Sequence, residues 1–142
     1  MTDLNFFQSN IGKWKTLRTL YQSDGPTFYL DKSDIDIQFD NNTDYLIKNN
    51  SIYQKSQINL SKLQSKNLIN ISKRANPSKQ IKYQMLYKFN NDRHISLEYN
   101  YGNLTILEKI WLVNSNLRLS ISMIQKHNQC IFISFSSDIK IT

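Results

Sequence analysis

The stretch LTILEKIWLVNSNLRLSISMIQK, residues 104–126, decides the fold. Two runs rich in β-branched and aromatic residues flank Asn114-Ser115-Asn116, a cluster of turn formers, and this pattern predicts a β-hairpin. With those three residues as the loop, position 113 opposes 117, 112 opposes 118, 110 opposes 120 and 108 opposes 122. Glu108, Ile110 and Leu112 then share a face with Arg118, Ser120 and Ser122. The other face carries Leu107, Lys109, Trp111, Val113, Leu117, Leu119, Ile121 and Met123. A loop of two residues would put Glu108 and Arg118 on opposite faces, so the register decides whether acid and arginine can serve one site.

Working outward, period-two alternation recurs along the chain. Trp14, Thr16, Arg18 and Leu20 alternate with Lys13, Lys15, Leu17 and Thr19, and the two lysines seek water, which turns Trp14 and Arg18 inward. Ile35, Ile37 and Phe39 alternate with Asp34, Asp36, Gln38 and Asp40, an acidic row read as a solvated strand face. Residues 41–55 are expected to form a short helix or an irregular connection. Weak strands are expected around Ile58-Leu60 and Leu68–Ile71, stronger ones over 80–89 and 95–101, and a last one over 130–141, where Phe132, Ser134, Ser136 and Asp138 form one row. Leu4, Phe7 and Ile11 recur at helical spacing behind Asp3, so a short helix opens the chain and abuts the core.

Some eight to ten short strands separated by turn signals, with little helix, describe an antiparallel meander. Closing it removes the sheet edges and leaves a lumen fit for one small ligand. The expected fold is therefore an all-β, antiparallel up-and-down barrel with a short N-terminal helix, one domain over residues 1–142.

Composition narrows the function. Eighteen basic against eleven acidic residues give a net charge of +7, but the lysines are scattered and form no nucleic-acid-binding block or motif. The excess fits an anionic ligand or an acidic partner better. One cysteine, Cys130, excludes an intrachain disulfide framework and is compatible with a reducing compartment. The opening residues lack a secretory leader pattern, and no apolar run is long enough to span a membrane. Abundant Asn, Lys, Ile and Tyr suggest an AT-rich genome such as an organelle's, and the lack of a transit peptide fits synthesis there.

Conventional catalytic sets are missing. His127-x-x-Cys130 offers two metal-ligand types where structural zinc takes four, and no metal site is expected. Cys130 reads as a packed thiol. What remains is Arg18, Glu108 and Arg118 with their hydroxyl neighbours. Two arginines on an inner wall can grip carboxylates bidentately, and a glutamate can accept from ligand N–H groups or hold a proton. The pattern alone leaves a second reading, in which Glu108 and Arg118 face water and the more apolar Trp111 face points inward.

FFQSNIGKWKTLRT at 6–19, LEKIWLVNSNLRLSISMIQK at 107–126 and the closing FISFSSDIKI resemble the S-type phycobiliprotein lyases of the CpcS/CpeS family. That family opens with F-F-x-x-S/N-x-G-x-W-x-x-x-R-T/S and later carries an acid, a tryptophan and Asn-Leu-Arg-Leu, here Glu108, Trp111 and Asn116–Leu119. The resemblance implies a lipocalin-like barrel that attaches a linear tetrapyrrole, phycoerythrobilin or phycocyanobilin, by a thioether to a cysteine of a phycobiliprotein subunit. It implies a plastid setting, bilin as substrate and no cofactor of the protein's own. It matches Glu108 and Arg118 to the family's catalytic acid and arginine, and Arg18 to its first-strand arginine. Trp14, Trp111, Ser120 and Ser122 complete the expected ligand contacts. A bilin carrier without catalysis and a binder of another amphipathic acid stand as alternatives. The apolar face of 107–123, if it lies outside the barrel, makes a homodimer an expectation too.

Overall fold

Alternating strands of this kind need partners for both edges, and the computed structural model of the chain supplies them by closure. The structure describes residues 2–23, 28–40, 44–49, 54–59, 68–76 and 79–141, with the side chains of 6–23, 30–38 and 86–141. Among these, a helix α1 (Thr2–Ser9) precedes β1 (Gly12–Gln22), β2 (Phe28–Asp40), β3 (Asp44–Asn49), β4 (Gln54–Asn59) and β5 (Leu68–Asn76). There follow β6 (Lys79–Asn91), β7 (His94–Tyr101), β8 (Leu104–Asn114), β9 (Leu117–Lys126) and β10 (Gln129–Lys140). Each strand pairs antiparallel with its sequence neighbours, and β1 pairs with β10 to close the barrel. The expected meander is the observed one.

Residues 44–49 correct the sequence reading, because they form β3 rather than a helix or an irregular link. Tyr45, Leu46 and Ile47 suit a pleated surface, and β2 offers them a full antiparallel register, with Ile37 opposite Ile47 and Asp40 opposite Asp44. Gln54 and Lys55, at the end of that expectation, likewise open β4, and residues 41–43 and 50–53 lie outside the described residues.

The 104–126 hairpin keeps the expected register by an unexpected route. Its turn is two residues, Ser115-Asn116, with Asn114 opposite Leu117. The register then shifts between Leu112 and Asn114, and the extra residue, Val113, restores Leu112 opposite Arg118 and Glu108 opposite Ser122. Neither turn residue has positive φ, so the turn is not one of the mirror-image types whose twist matches the strands, and the bulge takes up the mismatch. The Asn114 side chain holds the corner by accepting from the Asn116 N–H at 2.8 Å. At the other end of β9, His127 (φ 51°) and Asn128 (φ 62°) do form a mirror-image turn, with Lys126 opposite Gln129.

Inside the barrel the core gathers Trp14, Ile35, Ile37, Tyr87, Ile95, Tyr99, Ile106 and Leu112. Helix α1 plugs one end. Phe6 and Phe7 meet Phe89 edge-on at 5.5 and 6.3 Å, and the buried Asn10 donates to the Phe6 carbonyl at 2.7 Å as the helix ends. Gly12, at φ 143°, then turns the chain into β1; a Cβ there is strained and meets the Lys140 side chain at 3.1 Å.

Outside, β1, β10, β9 and β8 present the apolar row. Leu17 is 42% exposed and Phe135 45%, and with Trp111, Leu119 and Ile121 they line an open groove of about 760 Å³. The charged face of 104–126 is therefore the inner one, and its apolar face is the outer one.

Candidate functional site

The strand register stacks the inner wall in rows. One row runs Asp31, Arg18, Ser136, Ser120, Ile110 and Ile95 across β2, β1, β10, β9, β8 and β7. The next row away from the plugged end carries Leu20, Ser134, Ser122, Glu108 and Leu97. Four serines thus make a block, Ser136 beside Ser120 and Ser134 beside Ser122, with Arg18 at one corner and Glu108 at the opposite one. Three interstrand steps separate the two charges, about 14 Å along the wall. Small hydroxyl side chains leave this part of the lumen wide and able to donate or accept hydrogen bonds.

Arg18 is half-buried, and its Nε donates to Ser136 Oγ at 3.3 Å. Among the described residues no carboxylate lies within ion-pair distance of it. A partly desolvated guanidinium in that state suits an incoming anion.

Glu108, also half-buried, accepts a hydrogen bond from the Tyr99 hydroxyl at 3.0 Å. Ser122 stands directly opposite it on β9.

Arg118 sits one row below Arg18, toward the plugged end, and its charge is already matched. Its Nε donates to Asp138 Oδ2 at 2.7 Å, with the two side chains only 10% and 3% exposed. One Nη donates to Asn10 Oδ1 at 2.9 Å, and the guanidinium stacks over the Trp14 ring at 5.1 Å. Asp138 Oδ1 in turn accepts from the Thr16 hydroxyl at 2.6 Å. Trp14, fully buried, donates its indole N–H to the Asn10 carbonyl at 2.9 Å, and Lys140 caps the ring's other neighbourhood at 4.8 Å. This network ties α1, β1, β9 and β10 together. Arg118 shares the lumen-facing row pattern with Glu108, as the sequence predicts, but it is held by protein groups, not poised between them.

Trp111 is where a correction falls. It stands on the outer face, stacked on His94 at 4.5 Å and 19°, because it is an odd number of residues from Glu108 along β8. It cannot line the lumen as expected for a ligand contact. Its histidine partner has a pKa held below the ordinary imidazole value, first by burial and then by the nearby Lys109 charge. Ser120 and Ser122 do lie on the lumen wall, and Trp14 floors it beneath Arg118. Cys130, half-buried, donates its thiol to the Phe132 carbonyl at 3.4 Å.

The sequence reading missed Asp138, Asn10, Thr16 and Tyr99. A usable signal existed for Asp138, which falls in the same inward row as Ser134 and Ser136 and therefore needs a cation. Tyr99 and Asn10 carried none, since each is recognisable only once its neighbours in space are known.

The comparisons with known proteins bear on the family and the fold. The family model described as CpeS-like protein matches residues 74–141. A chromophore lyase CpcS/CpeS homolog of Porphyra purpurea is 28% identical over 97% of this chain and 97% of its own. A second such homolog, from Pyropia yezoensis, is 45% identical over 33% of this chain and 32% of its own. Among solved structures, the S-type phycobiliprotein lyase CPES of Guillardia theta superposes with a TM-score of 0.56 at 16% identity, over 100% of this chain and 94% of that one. A Nostoc punctiforme protein of the DUF3598 family, of unknown function, superposes with a TM-score of 0.67 at 14% identity. This chain is covered to 95% there but spans only 49% of that protein. At such identities the two structures speak for the fold.

Proposed function

We propose that this chain, which belongs to the CpeS-like protein family, is a chromophore lyase that holds a linear tetrapyrrole in its barrel and promotes thioether attachment to a cysteine of a phycobiliprotein subunit. The observation that carries the reading is the inner wall. It pairs an arginine lacking a carboxylate partner among the described residues, Arg18, with a carboxylate, Glu108, across a block of four serines. A bilin brings propionates for the first and a line of pyrrole N–H groups for the second, and one molecule can meet both. The names of the two algal relatives support the same class of activity.

The reaction asks for little beyond placement. The acceptor thiol loses its proton, its sulfur adds to the exocyclic ethylidene of ring A, and the π pair of that double bond takes a proton on the adjacent ring carbon. One C–S bond forms and nothing leaves. The protein therefore needs no nucleophile of its own. Arg18 fixes the propionate end, Glu108 orients the N–H edge and stands as the group able to hold or relay the proton, and the barrel wall excludes water. In this scheme Arg118 acts from below, holding the Trp14 floor and the first strand in place.

Both algal relatives come from red algae, and a plastid setting follows for the proposed activity. Among the described residues no helix is long and apolar enough to cross a membrane. The homodimer expected from the apolar row remains a proposal, with the groove on β1, β10, β9 and β8 as its surface.

Incubating the protein with phycoerythrobilin or phycocyanobilin and an apo-phycobiliprotein, then separating the chains and reading zinc-enhanced fluorescence, tests the activity. Covalent bilin on the acceptor, formed faster than without the protein, is the expected result. Tight bilin binding with no acceleration assigns a carrier role instead and overturns the lyase reading.

A further inference from the structure

Glu108 enters the lumen with one of its oxygens already committed. Tyr99 on β7 stands opposite Ile106, and Glu108 on β8 stands opposite Leu97, so the two are diagonal neighbours on the inner wall. The phenol of Tyr99 donates to Glu108 Oε1 at 3.0 Å. Its ring is buried in the same cluster as Tyr87, Ile95 and Ile106, which fixes the hydroxyl as firmly as the core itself. A glutamate on its own has three rotatable bonds and loses their freedom on meeting a ligand. One tied through Oε1 has lost that freedom in advance, and its second oxygen is left to accept.

We infer that Tyr99 is a positioning residue for Glu108: it holds the carboxylate in the one orientation in which Oε2 can accept from adjacent N–H groups of a bound tetrapyrrole. This rests on the reading of Glu108 as the group that faces the bilin. It explains why a buried phenol and a half-buried acid meet on the inner wall, beside Ile106 and Leu97. The geometry selects a ligand that presents its N–H donors along one edge, because a pinned carboxylate cannot swing to follow scattered ones. The inference separates the two carboxylate oxygens by task, one for the protein and one for the ligand.

A double-mutant cycle on the full chain tests it, with phycocyanobilin as the probe and the induced absorbance change as the readout. Tyr99→Phe keeps the ring and removes only the donor, so the melting transition stays cooperative and close to the parent's. In the parent background Tyr99→Phe should weaken bilin binding about tenfold and shift the bound absorbance maximum toward that of Glu108→Ala. In the Glu108→Ala background the same change should alter affinity by less than about twofold, since the group it acts through is gone. An equal loss in both backgrounds overturns the inference, because Tyr99 then acts on the ligand or the fold directly. No loss from Tyr99→Phe where Glu108→Ala does weaken binding overturns it as well. If Glu108→Ala itself leaves binding unchanged, the bilin reading of Glu108 fails first and the role of Tyr99 falls with it.

Discussion

Arg118→Ala is expected to cost the barrel about 3–5 kcal/mol of stability, because it strands the Asp138 carboxylate in a dry environment. Asp138 is 97% removed from solvent at its side chain, and after the substitution only the Thr16 hydroxyl remains to it. The loss also frees Asn10 Oδ1, the group that links helix α1 to β9, and removes the cation stacked on Trp14. For a chain of 142 residues this corresponds to a fall in melting temperature of roughly 10–20 °C. Circular dichroism during heating reads it directly. Replacing both partners by apolar residues of similar size, Arg118→Met with Asp138→Leu, should recover much of the loss, since the cost lies in the unpaired charge more than in the missing pair. A single variant that melts with the parent contradicts the network's role. For ligand work the consequence is practical. A drop in bilin transfer by an Arg118 variant must be set against the fraction still folded.

Glu108→Gln is expected to behave in the opposite way, with a nearly unchanged fold and a transfer rate lowered about a hundredfold. Glutamine keeps the shape and can still accept from Tyr99, but it carries no charge and cannot hold or relay a proton. The side chain is half-buried and its hydrogen bond with Tyr99 is its contact here, so stability has little to lose. Single-turnover formation of the covalent adduct separates this from weakened binding: saturating bilin restores the rate if only affinity is lost, and fails to restore it if Glu108 takes part in the chemistry. A variant that transfers at the parent's rate removes Glu108 from the mechanism.

The contrast between these two residues marks what the sequence could tell. Period-two alternation placed Glu108, Arg118, Ser120 and Ser122 on one face, and the structure keeps them there through a two-residue turn and a bulge at Val113 that together equal the expected three-residue loop. It could not show that Arg118 is spoken for, since its partners lie 20 and 108 positions away on β10 and beyond the helix end. Side-chain periodicity reports which face a residue takes; who stands beside it depends on register between strands distant in sequence. The same limit explains Trp111, whose conspicuous motif position outweighed its parity. It also explains residues 44–49, whose local pattern is too short to announce a strand until β2 supplies the ladder. Arg18 was the more legible residue, because Lys13 and Lys15 on the other face of β1 left its row only one direction.

The central claim is that the ligand sits on the inner wall and not in the apolar groove outside it. A bilin titration followed by absorbance, run on the parent, Arg18→Met and Leu119→Glu, decides between the two surfaces. Arg18 lies within the lumen beside Ser136, whereas Leu119, 40% exposed, lines the outer groove. Arg18→Met should weaken binding by about 10- to 100-fold, the worth of one charge-assisted contact, while Leu119→Glu leaves affinity at the parent's value. The reverse pattern, with Leu119→Glu abolishing binding and Arg18→Met tolerated, contradicts the account.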